Sequence, residues 1–293
     1  MKKIALCIIA MSACFHAGSQ TPVIRPDLSI PSMIAPAYFG PNAFPVPDML
    51  DGRTSSDLDV ELYYDSFLCT MTDDVADDVT MDAFLKVTVP LFSRRVNLVL
   101  WMPVVEQFWT TPEISAMRRL SPDAPLSGMD SGDVYVSTDI CIMEQDKSGF
   151  DMALRAAIKT ASANSFSTGR VYDAPGYFFD LSVGRDICRF DRGVFRMAVS
   201  SGFLCWQTDN GRQNDAVMYG LLASYAQGRF SADLNFGGYV GWEGRGDRPM
   251  TLKSHVSWSL NRLTFHLAHQ IGFMDWPYHQ IRFGVSCSVP ILK

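Results

Sequence analysis

The sequence predicts an all-β protein, a twelve-stranded antiparallel transmembrane β-barrel over residues 57–293 with a Pro-rich extended segment ahead of it. Three observations carry that reading. From Asp57 onward, apolar and polar residues alternate with period 2 in twelve runs of about ten residues or more. The connections between the runs are alternately long and short. Aromatic residues gather near the ends of the runs rather than at their centres. A bilayer-spanning strand needs ~9–11 residues, whereas strands of soluble proteins centre near ~5–6.

Residues 1–19 read as a secretory signal peptide, with a basic start "MKK", an apolar run "IALCIIAM" and a small-residue exit "SACFHAGSQ". Cleavage is expected after Ala17-Gly18-Ser19, leaving Gln20 first; lipoprotein processing at Cys14, after Met11-Ser12-Ala13, is the alternative. Residues 20–56 form the Pro-rich segment, with seven prolines between 21 and 56 that remove backbone donors and fix φ. It is too apolar for a solvated linker. It is therefore expected to lie extended against the rest of the chain, inside the barrel or across its periplasmic mouth, as a candidate plug.

The alternation gives each strand a lipid face and a lumen face. In 57–67, Leu58, Val60, Leu62 and Tyr64 oppose Asp59 and Glu61. In 81–91, Leu85 and Val87 oppose Lys86, and in 132–142, Ile140 and Ile142 oppose Asp133 and Asp139. In 150–161, Leu154 and Ile158 oppose Arg155 and Lys159, and in 177–187, Phe179 and Leu181 oppose Asp180 and Asp186. The pattern continues through 95–105, 194–206, 214–225 and 229–242. It ends with 249–260, 262–273 and 280–291, whose lumen faces carry Lys253, His255 and Arg282. Pairing of successive hairpins sets Lys159 between Asp133 and Asp180, and Arg155 between Asp139 and Asp186. Such charges in register suggest ion-pair cross-links inside the wall; a selectivity ring lining a pore is the alternative.

The long connections are 70–79, 106–131, 163–176, 207–213, 243–249 and 275–279, and the short ones are 93–95, 144–149, 188–193, 226–228 and 259–262. Short turns at one end and long loops at the other are the organisation of a membrane barrel. Within 106–131, Thr111 reads as an N-cap, Pro112 as the first helical residue and Glu113 as a dipole partner, predicting a short helix. Tyr64, Trp109, Tyr177, Trp242, Trp276 and Tyr278 fall near the long-loop ends, and Phe92, Phe150, Phe195, Tyr225, Phe230 and Trp258 near the short turns. Two such girdles match the two bilayer interfaces.

The signal sequence, the twelve alternating segments and the last strand "QIRFGVSCSVPILK" resemble Gram-negative outer-membrane β-barrel proteins. The resemblance covers 57–293 by pattern. It implies an outer-membrane location, with outer-membrane lipid and lipopolysaccharide around the wall and the outer-membrane assembly machinery as inserting partner. It implies no one activity, because such barrels serve as porins, enzymes, adhesins and assembly factors. The chain departs from the pattern at its end, where Pro290-Ile291-Leu292-Lys293 stands in place of a terminal aromatic. Outer-membrane phospholipase A also carries a His-x-Ser with an Asn further along, as His255, Ser257 and Asn261 do here. In this chain the alternation turns His255 and Ser257 into the lumen, and Asn261 falls in a turn. The phospholipase pair works on the outside, so the pattern reads here as interior wall.

Net charge is −6, with no basic run, so nucleic acid is not an expected partner. Beyond Cys7 and Cys14 stand five irregularly spaced cysteines, which suggest neither a disulfide framework nor a zinc site. The expected function is a narrow or gated channel for small polar solutes, without catalytic residues, cofactor or metal. Alternatives are a structural or surface-binding barrel without transport, or a membrane-embedded lipid hydrolase. The candidate binding residues are the lumen-facing Asp59, Glu61, Lys86, Asp133, Asp139, Arg155, Lys159, Asp180, Asp186, Lys253, His255 and Arg282.

Overall fold

The computed structural model describes residues 36–69, 71, 77–163, 168–171, 174–190, 192–207, 213–242, 244 and 246–291. The signal peptide and residues 20–35 lie outside the described residues. The strands are β1 (Asp57–Cys69), β2 (Asp78–Pro90), β3 (Val96–Thr110), β4 (Ser127–Asp130), β5 (Tyr135–Met143), β6 (Asp151–Lys159) and β7 (Gly176–Phe190). They continue with β8 (Gly193–Gln207), β9 (Gln213–Gln227), β10 (Phe230–Gly241), β11 (Met250–Leu260), β12 (Leu263–Met274) and β13 (Tyr278–Pro290). Every pairing is antiparallel; strands pair with their neighbours in the chain apart from β3 with β5 and the closing pair of β1 with β13, which makes the sheet a barrel.

The wall has twelve strands because β4 and β5 share one place: β3 pairs with β4 at Glu106–Trp109 and with β5 at Val96–Trp101. Pro103 explains the break. It has no N–H to give to a ladder, and its carbonyl accepts from the amide of Gly132, which lies between the two pieces. A Cβ on Gly132 would stand 2.5 Å from the Pro103 ring, so the crossing is open to glycine.

Alternation sorts the two faces. Val60, Leu62, Ile158, Val199, Phe265 and Phe283 are exposed on the outside. Tyr64, Trp109, Tyr177 and Trp242 are exposed toward the long-loop end, and Phe92 and Trp258 toward the short turns. Two expected girdle members are not there: Trp276 and Tyr278 are 6% and 2% exposed and pack inside with Tyr38, Phe67 and Ile114. Aromatic rings serve equally well in an interface or a filled interior, so composition did not separate the two. One register also differs from expectation. Arg155 lies opposite Asp180, and Lys159 opposite Gly176, so Asp180 belongs to Arg155 and Asp186 stands near the short-turn end. The long β6–β7 connection left that register unfixed by the sequence.

The described part of the Pro-rich segment, residues 36–56, runs down the interior. At the long-loop end the amide of Ala37 donates to Gly246 and that of Gly40 to Gly169. Phe39 and Phe44 pack among Tyr135, Phe178, Trp206 and Tyr239. At the short-turn end Asp51 receives Arg196, and Thr54 donates to the Arg94 carbonyl in the β2–β3 turn. Helix α1 (Pro112–Met117) is capped by Thr111, whose side chain accepts from the Ile114 amide, and Ile114 turns inward to the same cluster as Tyr38.

Gly132→Ala should destabilise the barrel by ~1–3 kcal/mol, the usual range for forcing extra volume into a packed site. Gel shifts read after stepwise heating check this; an unchanged unfolding temperature would refute the account of the β4–β5 break.

Candidate functional site: a charged lumen and the segment it holds

The inward-facing residues are polar because their faces alternate with the apolar outer band, and most of their charges meet a partner across the wall. Glu61 pairs with Lys86 at 2.9 Å, Lys159 with Asp133 at 2.6 Å and Arg155 with Asp180 at 2.7 Å. Asp139 lies in register with Arg155 and accepts from Ser137. Asp59 accepts from Ser55 and Ser288. Arg282 makes a two-pronged pair with Asp65, each bond 2.6 Å. Arg196 gathers Asp186 at 2.9 Å and Asp151 at 2.7 Å, and both its terminal and its chain-side nitrogens reach Asp51. Lys253 holds Asp48 of the lumen segment at 2.8 Å.

His255 belongs to a hydrogen-bonded chain over four adjacent strands. Its Nδ1 donates to the Asp233 carboxylate at 2.7 Å, and its Nε2 is hydrogen-bonded to His266 Nδ1 at 3.0 Å. His266 Nε2 in turn is hydrogen-bonded to the Ser286 hydroxyl at 2.8 Å. Ser257 instead shares a bond with Ser231, and Asn261 sits in the β11–β12 turn with φ 57°. The His-x-Ser of the sequence is therefore not a paired nucleophile and base.

The tightest part of the interior is the long-loop end. Three carboxylates sit side by side there on β1, β2 and β3, with Asp65 opposite Asp82 and Asp82 opposite Glu106. Arg170, from the β6–β7 loop, donates to Glu106 at 2.7 Å, to both oxygens of Asp78 and to Thr80. Arg118, just after α1, donates to Asp78 and to the carbonyl of Tyr38. Asn42 of the lumen segment bridges the facing acids, with its amide nitrogen 2.6 Å from Asp82 and 2.7 Å from Glu106. Tyr278 donates to the carbonyl of Phe39. Arg118, Arg170 and Asp78 are fully buried. Burial alone would favour neutral Arg170, but Glu106 and Asp78 outweigh it and hold its pKa above the ordinary value. Gly40 is packed so closely on Arg170 that a Cβ there would meet its carbonyl oxygen at 2.6 Å.

Beneath this layer lies a cavity of about 620 Å³. It runs from Thr54 and Ser231, level with the short turns, up to Pro41 and Trp276. Lys86, Arg155, Lys253, His255 and Arg282 line it together with Asp59, Glu61 and Asp139. Asp133, Lys159, Asp180 and Asp186 are held in wall pairs instead. The sequence reading missed Asn42, Asp78, Glu106, Arg118 and Arg170. Asp78 and Glu106 sit at or beyond the ends of the alternating runs, and Asn42, Arg118 and Arg170 lie in segments with no periodicity to mark an inward side chain.

No protein-family model and no curated protein matches the chain. Solved structures do. An outer membrane channel from Pseudomonas putida F1 is similar at a TM-score of 0.54 and 12% identity, covering 83% of this chain and 99% of that one. The likeness is one of fold. The KdgM porin is similar at a TM-score of 0.48 and 10% identity, covering 78% of this chain and 98% of that one.

Arg155→Ala should cost ~3–5 kcal/mol, because it leaves a buried Asp180 without its cation. Thermal unfolding in detergent checks this. Melting at the wild-type temperature would mean the wall pairs are not structural.

Proposed function

We propose that the protein is an outer-membrane barrel whose lumen is a narrow passage for small polar solutes, held shut by residues 36–56 acting as a plug. The observation that carries this reading is the seating of Gly40–Asn42 in the Arg170, Glu106 and Asp82 layer, directly above a charged cavity of about 620 Å³. The outer apolar band supports a lipid surround, since an exposed apolar belt of this extent has no place in water. The fold likeness to an outer membrane channel supports a passage. Selectivity would rest on the cavity residues Lys86, Arg155, Lys253, His255 and Arg282, set against Asp59, Glu61 and Asp139. The hold on the plug is polar as well as apolar, so a change in the mouth's charges is the natural opening signal.

A permanently filled barrel, serving as structure or as a surface for binding, is the second reading. The fully buried pairs of Arg118 and Arg170 favour it, because breaking such pairs is costly.

Planar-bilayer conductance separates the two. The refolded mature protein should be silent or open rarely, and a variant lacking residues 21–56 should conduct steadily. Silence in both, with the deletion variant still giving a heat-shifted folded band, would refute the passage. Asn42→Ala leaves Asp82 and Glu106 without their shared donor, a loss of ~1–3 kcal/mol, and should raise the open probability of the full-length protein. Unchanged gating would remove Asn42 from the closing contact.

A further inference from the structure

Ala37 bonds to Gly246 in the β10–β11 loop, Tyr38 receives Arg118 from the β3–β4 loop, and Gly40 bonds to Gly169 in the β6–β7 loop. All three partners belong to long connections. Thr54 bonds to Arg94 in the β2–β3 turn, Ser55 exchanges two bonds with Asn97, and β1 starts from that same end at Asp57. The segment thus passes through the barrel once, from the long-loop mouth to the short-turn mouth. In membrane barrels the long loops face the cell exterior and the short turns face the periplasm.

We propose that the plug is threaded from the outer face, so that the chain ahead of Pro36 is presented on the cell surface and the barrel displays its own N-terminal peptide. This rests on the outer-membrane reading above. Return of that chain through the lumen is opposed by the layer at the mouth. There Arg118 and Arg170 reach across to Tyr38, Asp78 and Glu106, and Phe39, Phe108 and Tyr278 are buried beside them.

One chain carrying two different epitopes tests this. The first is inserted between Asp27 and Leu28, and the second between the exposed Asp123 and its neighbour Ala124 in the β3–β4 loop. Antibodies against each are applied to intact cells and again after the outer membrane is permeabilised. The expected result is that both epitopes are reached on intact cells. If the loop epitope is reached on intact cells and the N-terminal one only after permeabilisation, the threading inference is overturned while the outer-membrane reading stands. If neither is reached until permeabilisation, the long loops do not face outward, and the orientation fails together with the inference.

Discussion

A guanidinium with no exposed surface needs acceptors on every side, and Arg170 takes them from two strands of the wall at once, Glu106 on β3 and Asp78 and Thr80 on β2. Its removal from water costs several kcal/mol before any partner is counted. The partners are themselves buried carboxylates with the same requirement, so neither side can be withdrawn without stranding the other. Arg118 shares Asp78, and through it α1 is drawn into the mouth. Asn42 completes the layer by donating to both Asp82 and Glu106, which lie opposite each other in register. The lumen segment is therefore part of the electrostatic balance of the wall.

That balance arises from the constraint on a membrane barrel. Outward positions must be apolar to meet lipid, so inward positions carry the polar side chains. A ring of twelve strands is too wide for wall side chains alone to fill and too narrow for an open aqueous pore of porin size. The Pro-rich segment suits the remaining space. Its prolines lower the need for backbone partners in a lumen whose own backbone is committed to the ladder. Phe39 and Phe44 supply apolar packing against Trp206 and Tyr239, and Asp48 and Asp51 supply charge to Lys253 and Arg196.

The barrel itself was legible because period-2 alternation is a direct imprint of the two solvents. β1 begins at Asp57, where the alternation begins, and α1 begins at Pro112, where the capping residues place it. Register across the β6–β7 connection was not legible. A tight turn fixes pairing, whereas a long loop leaves it open, and Asp180 moved from Lys159 to Arg155 for that reason. The layer at the mouth was the least legible part. Arg118 and Arg170 sit in loops, where an inward side chain leaves no period, and a loop arginine ordinarily reads as solvated. Trp276 and Tyr278 were read as interface residues because nothing in composition distinguishes a ring at the membrane surface from one packed on Phe67.

The central claim is that residues 37–44 are locked into the long-loop end of the barrel. Hydrogen exchange at single amides, followed by NMR on the folded protein in detergent micelles, tests it most directly. The amides of Ala37 and Gly40 are bonded to Gly246 and Gly169, and the account predicts that they exchange as slowly as ladder amides of β12. Exchange of both at free-chain rates, with β12 still protected, would contradict it.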